Sequence, residues 1–438
     1  MMLKLRPFEL GLVVTFGVLM IAALVLLNTY ESPSCEEDGT CLDLKGGVSI
    51  WGTLSDDVFS SMMIDLREDN ESFRTVSYRY IPPEDFDKVL VDALADQTPP
   101  DLLFMSHERL VKHRSRLQPI SYDSFPERDF RNLYIDGASI FALQDGVYAF
   151  PVMVDPLVMY WNRDILSDNG FLTPPKNWEE LVSSMAPLIT IRDFNRRIQL
   201  STLAMGEYVN VKNAFPILST LLLQAGSPMV SESKNNEYMV KLNESNSVKI
   251  PLTKTLDFYT SFSNVNNSLY SWNRTLGLDQ DVFLREDLAF YFGYGSEARG
   301  LEEKNPNLSF DIAEVPQGEN STNKRVYGNF YGFFIPKSAN NKQGAYQVMS
   351  EIGSQNRAKV LADGYNMAPV HRSSLSLGSN DVYGRIIYLS AYNTRAWLNP
   401  DLEQTDDILS RALEDISANR QDTTRTANDV VGRLQAVY

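Results

Sequence analysis

The sequence predicts an α/β protein of two lobes joined by a hinge, with mostly parallel, doubly wound sheets and one transmembrane helix ahead of them. Strand and helix patterns alternate between Val48 and Leu94, the signature of a parallel sheet with ligands at the carboxyl ends of its strands. An apolar stretch from Val147 to Trp161 is rich in Val, Met, Tyr and Phe, yet carries Pro151 and Pro156, which a strand tolerates only at edges, bulges or bends. A bend inside a long buried strand is what a hinge requires. The chain has 438 residues, too many for one ordinary core, so two or three domains are expected.

Each element follows from its residues. Val48–Trp51 reads as a strand ending at Gly52, and Asp56–Asp69 has apolar residues at helical spacing. Val76–Ile81 alternates as a strand and Asp85–Leu94 returns to the helical period. After the crossing strand, Pro174 and Pro175 stop a turn. Asn177 then caps a helix whose first turn carries Glu179 and Glu180, where negative charge meets the positive helix end. From Trp178 to about Asp311 the chain reads as mainly helical, with a polar loop or hairpin around Ser231–Asn246. Phe310–Pro316 and Phe330–Pro336 read as strands returning to the first lobe, and Ile408–Ile416 and Asn428–Val437 as amphipathic terminal helices.

The N-terminus gives an address. Phe8–Leu27 is apolar except for Glu9, long enough to span a bilayer as a helix. Lys4 and Arg6 precede it and Glu31, Glu36, Glu37 and Asp38 follow, so the positive-inside rule leaves the short N-terminus in the cytoplasm and exports the rest. The run is long for a cleaved signal, and an uncleaved single-pass anchor in the cell membrane is expected. The two cysteines, Cys35 and Cys41, lie in the polar stalk that follows. Outside the cell such a pair suits a small disulfide loop better than a metal site, which would want four ligands; two unpaired thiols are the alternative.

Composition narrows the function. A net charge of −16 argues against nucleic acid or anionic lipid as the main partner, since both demand clustered Lys and Arg. With three histidines, His107, His113 and His371, a His-based triad or zinc site has little material. His107 and His113 are six apart, not at zincin spacing, and His371 reads as a surface residue. Gly293-Tyr294-Gly295-Ser296 is no nucleophile elbow and no phosphate loop is present. No cofactor or metal is expected, but a glycoside hydrolase needs only two carboxylates, and composition does not exclude one.

Four phrases carry a resemblance. They are Tyr148-Ala149-Phe150-Pro151 followed by Trp161-Asn162-Arg163-Asp164, and Pro174-Pro175-Lys176-Asn177-Trp178-Glu179-Glu180-Leu181. The others are Thr98-Pro99-Pro100-Asp101 running into Ser106-His107-Glu108, and the pair Asp287–Tyr294 and Tyr327–Lys337. In this order they resemble the extracellular solute-binding proteins that feed ABC importers, in particular the sugar-binding group, over about residues 46–438. The resemblance implies a two-lobed periplasmic-binding-protein-like fold of type II. Its expected division is 46–153 first lobe, 154–312 second lobe, 313–368 return to the first and 369–438 terminal helices of the second, after 1–7 in the cytoplasm, 8–27 as anchor and 28–45 as stalk. It also implies a monomer that closes about segments near Pro151–Asp155, Val315–Pro316 and Met367–Pro369, traps a mono- or oligosaccharide and offers it to ABC permease membrane subunits. The resemblance implies a binding protein and no enzyme; the alternatives are a sensor component for a membrane receptor and, behind it, a glycoside hydrolase.

By the family's motifs, Glu108 and Asp155 stand where acidic residues accept sugar hydroxyl bonds. Trp51 and Thr53 follow the first strand, Ser106 lies in the third phrase two residues before Glu108, Tyr294 and Ser296 follow Phe292–Gly293, Asn329 follows Tyr327–Gly328, and Trp397 falls near where the family places an aromatic platform. Sugars are held by aromatic faces and by planar polar side chains, and these positions supply both. Met105 occupies a position where some sugar binders carry a Trp, so one stacking surface is missing.

Overall fold

A computed structural model describes residue 44 and residues 46–438 apart from 234–236, 247 and 322. The apolar run 8–27 and Cys35 and Cys41 lie outside the described residues. Among the described residues no helix is long and apolar enough to cross a membrane.

The chain opens with β1 (Val48–Gly52), α1 (Asp56–Asp69), β2 (Val76–Tyr80), α2 (Pro83–Ala95) and β3 (Leu102–Ser106), close to the predicted bounds. Phe59, Met62, Met63 and Leu66 give α1 its buried stripe, and Pro83 starts α2 where its missing N–H costs nothing. Next comes β4 (Phe150–Asn162), a strand of 13 residues buried along almost its whole length. The elements that follow include β5 (Ile198–Leu203), α3 (Ala214–Gln224), β6 (Val230–Glu232), β7 (Tyr238–Val240), α4 (Pro251–Ser261), β8 (Leu288–Tyr294), β9 (Phe310–Ala313), β10 (Val326–Pro336), α5 (Lys342–Ile352), α6 (Gln355–Gly364), α7 (Leu402–Ser417) and α8 (Thr423–Gln435), with a helix over Gly384–Asn393 and shorter helices and strands between.

The main sheet runs β2-β1-β3-β10-β4-β8-β5. Its flanks are parallel, β2 with β1 and β1 with β3 at one end and β8 with β5 at the other. Its centre is antiparallel: β10 against β3, β10 against β4, and both β8 and β9 against β4. The expectation of mostly parallel sheets is therefore corrected. The long connecting strands reverse direction as they cross between lobes, and helical crossovers are confined to the outer strands. The region from Trp178 to Asp311 is also less helical than its composition suggested, since β5, β8 and β9 lie within it. Phe310–Ala313 pairs with Met159–Asn162, so it joins the second lobe's part of β4, not the first lobe.

β4 is the hinge strand. Up to Pro156 it pairs with β10, Phe150↔Phe333 through Pro156↔Gly328. From Leu157 onward it pairs with β8, Leu157↔Tyr294 through Trp161↔Phe290. One strand thus passes from one lobe to the other beside Asp155. Pro151 and Pro156 flank this passage, and a bulge interrupts the β10 register at Tyr331/Gly332. Gly332 is required there, because a Cβ would meet the Phe150 carbonyl oxygen at 2.8 Å. Ala368–Pro369 adds a third crossing, pairing with Met153 and Val154.

Two cores flank the sheet. One joins β1, α1, α5 and α6 through Phe59, Phe104, Phe333 and Met349. The larger runs from α2 through the second lobe to α7 and α8, which pack on each other and on α4. His371, read as a surface residue, is 6 % exposed; its ring lies 4.7 Å from Tyr134 and its Nε2 is 2.9 Å from the Gly353 oxygen.

Candidate functional site

The candidate site gathers where β3 ends and β4 changes partner. Ser106 is buried at the end of β3, and its Oγ accepts the Glu108 N–H at 3.3 Å, capping the short helical turn that follows. That cap turns the half-buried Glu108 carboxylate toward β10. There it accepts the Tyr327 hydroxyl at 2.8 Å and more distant bonds from Asn329 Nδ2 and Ser106 Oγ, both at 3.4 Å. Tyr327, Asn329 and Tyr331 alternate along β10 and so share one of its faces. His107 lies behind them, fully buried, its Nδ1 accepting the Phe330 N–H at 3.2 Å. Burial pushes its pKa down to about 3, which leaves the ring neutral and the charge of the site with the carboxylates.

Asp155 faces Asn329 across the β4–β10 register. It is 4 % exposed and accepts two hydrogen bonds from Ser296, the N–H at 3.1 Å and the hydroxyl at 2.5 Å. Ser296 follows β8 in the second lobe, so the hinge carboxylate is tied directly to that lobe. Burial drives the Asp155 pKa up to about 7 despite these two bonds, and the charge of Glu297 adds to the rise. Burial also raises Glu108, with a smaller push from Asp406, while the Tyr327 hydroxyl opposes it. Tyr294 and Tyr331 join the two carboxylates: burial raises both hydroxyls first, and the charges of Glu108 and Asp155 raise them further.

Five of the sequence-predicted residues, Ser106, Glu108, Asp155, Ser296 and Asn329, are linked by hydrogen bonds or strand register, and Tyr294 lies among them. Glu108 keeps the most acceptor capacity, since one oxygen has only long contacts. Asp155 is committed to Ser296, which makes it as much a lobe fastener as a ligand group. The Asn329 Oδ1 is buried without a protein partner, an acceptor at the centre of the cluster.

The other three predicted residues stand apart. Trp51 is half-buried on β1 with the Arg79 guanidinium 4.9 Å above its ring, so one of its faces is already covered. Thr53 is buried, its N–H bonded to the Phe104 oxygen at 3.2 Å. Trp397 is corrected: it is 3 % exposed and stacked on Phe215 at 5.7 Å, a core aromatic and not an open platform. It touches the site only at second hand, as Phe215 packs edge-on against Tyr327 at 5.5 Å.

Tyr327, Tyr331, Tyr208 and Asp406 belong to the site but were not singled out. The period-two spacing of Tyr327, Asn329 and Tyr331 could have found two of them. Tyr208 donates its hydroxyl to Asp406 on α7, close enough to Glu108 for its charge to be felt there. No local pattern links residues so far apart in the chain. Below the site, Glu297 is satisfied by Tyr291, Gln280, Asn213, Lys212 and the Tyr294 N–H, which fixes the turn that carries Ser296.

Residues 74–354 match the family described as bacterial extracellular solute-binding protein. A binding protein of Brucella abortus (strain 2308) is 19% identical over 370 residues, covering 83% of this chain and 85% of its own. Among solved structures, the sugar-binding protein MalE from Xanthomonas citri superposes with a TM-score of 0.71 at 18% identity, covering 89% of this chain and 97% of its own. MalX from Streptococcus pneumoniae, in complex with maltopentaose, gives 0.67 at 15% identity, covering 89% of this chain and 100% of its own. A cyclo/maltodextrin-binding protein complexed with maltotetraose gives 0.71 at 13% identity, over 90% and 97%. At these identities the superpositions establish the two-lobed fold. With the family match spanning well over half of its length, the chain belongs to the bacterial extracellular solute-binding protein family.

Proposed function

We propose that the protein binds a mono- or oligosaccharide outside the cell between its two lobes and offers it to the membrane subunits of an ABC permease. The observation that carries this reading is the face where half-buried Asn329 and Tyr331 stand with Glu108, held from behind by buried Tyr327, beside the point where β4 passes between lobes. Hydroxyl, amide and carboxylate groups there match the donors and acceptors of a sugar, and the half-buried Tyr294 and Tyr331 rings suit its C–H faces. The solved structures with bound maltooligosaccharides support the same solute class. The site offers acceptors and neutral donors rather than free cations, which favours an uncharged hydroxylated solute over an anion.

The test is thermal stabilisation by a panel of mono- and oligosaccharides, polyols, amino acids and short peptides. A site-specific ligand at about 100 times its dissociation constant adds roughly 2.7 kcal/mol, readily seen as a raised melting temperature. A saccharide is expected to stabilise the native protein and to lose that effect in Glu108→Ala and Asp155→Ala; unchanged affinity in both variants contradicts the site. Residues 8–27 are proposed to hold this domain, as a monomer, on the outer side of the membrane. A mature chain beginning near Cys35 contradicts the anchor.

A further inference from the structure

The β6–β7 hairpin makes contacts that the binding site does not use. Its strands pair from Val230↔Val240 to Glu232↔Tyr238. Gln435 of α8 fastens it to the second lobe, its Oε1 accepting the Val240 N–H and its Nε2 donating to the Tyr238 oxygen, both at 2.9 Å. Because α8 packs on α4 and α7, the hairpin is fixed to that helical body.

What the hairpin grips belongs to the other lobe. Arg114 lies in the helical turn after β3, in a segment held to β10 by Lys337, whose Nζ donates to the Ser115 oxygen at 2.8 Å and whose N–H donates to the Arg116 oxygen at 2.8 Å. The Arg114 guanidinium is 2.6 Å from the Glu232 carboxylate and donates to the Tyr238 hydroxyl at 2.5 Å. From its own side it is held by Asp145 at 2.9 Å and by the Tyr148 hydroxyl at 3.3 Å. Gln144 adds a bond to the Glu232 backbone oxygen at 3.1 Å. The Arg114 and Glu232 side chains are only 11% and 10% exposed, so this pair is screened from salt far more than a surface ion pair. A second bridge lies along the same seam, where Lys112 Nζ meets Asp401, the cap of α7, at 2.8 Å.

We propose that Arg114, clasped by the β6–β7 hairpin, is a latch that holds the two lobes together in the absence of solute. None of its contacts passes through Glu108, Asp155 or Asn329. The latch therefore acts on the equilibrium between open and closed lobes and not on the solute contacts. A solute that binds the closed form sees an affinity scaled by the fraction of protein already closed, so Arg114 is a positioning residue that tunes affinity without touching the Glu108–Asp155–Asn329 cluster.

The test needs no solute and stands apart from the sugar reading. Spin labels carried by unnatural amino acids at exposed Ile64 on α1 and exposed Lys254 on α4 report the interlobe distance in the full chain by pulsed electron paramagnetic resonance. The native chain is expected to give mainly the short distance of the structure. Arg114→Gln should shift most of the population to a longer distance, Glu232→Gln should shift it partly in the same direction, and Arg114→Lys should restore part of the short one. Distance distributions equal to the native one in both Arg114→Gln and Glu232→Gln overturn the proposal, as does a native chain that is mainly long. If Arg114→Gln does not fold, Glu232→Gln decides by the same criterion.

Discussion

At the scale of single residues, the site is governed by carboxylates denied water. Asp155 shows the consequence. Its pKa rises from the ordinary 3.8 to about 7 because burial penalises the charged form more than the two Ser296 bonds favour it. The folded chain therefore holds this proton more tightly than the unfolded chain. The stability this group contributes is fully present below about pH 4 and is lost as the pH rises through about 7. Asp279, also raised to about 7, adds a loss in the same window, so the two must be separated by substitution. In Asp155→Asn the share due to Asp155 disappears, and urea midpoints of native and variant protein should draw apart in the variant's favour between about pH 4 and pH 7. Parallel curves across that range would refute the assignment. Glu108, Ser106, Asp155, Ser296 and Asn329, singled out from motifs in the sequence, come together in one neighbourhood because they sit at strand ends or crossings. Trp397 was misplaced because an aromatic near a Leu-Asn-Pro turn looks the same whether it faces a cleft or Phe215. His371 was misread for a similar reason: its burial comes from Tyr134 and Gly353, which no local pattern brings near.

At the scale of elements, local chemistry set boundaries well. Asn177 caps its helix as read, its Oδ1 accepting the Glu180 N–H at 2.7 Å. Asn177→Ala should cost about 1 kcal/mol, measured as a lowered urea midpoint with unchanged slope. No loss would mean that the Trp178 N–H bond to the Gln317 oxygen holds that helix start by itself. The helix α1 was legible to the residue because its apolar spacing and acidic first turn agree. β8 was not read as a strand within a stretch of helical composition, since a strand buried on both faces lacks alternation and looks like a buried helix segment. Direction was equally hidden. Nothing in the residues of β10 says that it runs against β3, because that follows from where the chain re-enters the first lobe.

At the scale of the whole molecule, the two lobes share a sheet that changes partners along one strand, and function follows from that geometry. β4 carries Asp155 at the exchange, β10 carries Tyr327, Asn329 and Tyr331 opposite Glu108, and the turn after β8 brings Ser296 from the second lobe. Any relative motion of the lobes must change the distances among these groups, so a solute that bridges them favours one arrangement, and only through its differential affinity for that arrangement. The central claim is that this cluster binds a saccharide. Its most direct test is calorimetric titration of the native protein and of Glu108→Ala with maltotriose and with whichever saccharide of the panel stabilises the protein most. The account predicts saturable binding at one site by at least one of them, weakened about tenfold or more when Glu108 loses its carboxylate, as expected for hydrogen bonds to a charged group worth roughly 1.5–3 kcal/mol. Saccharide binding of equal strength in native protein and variant would contradict it.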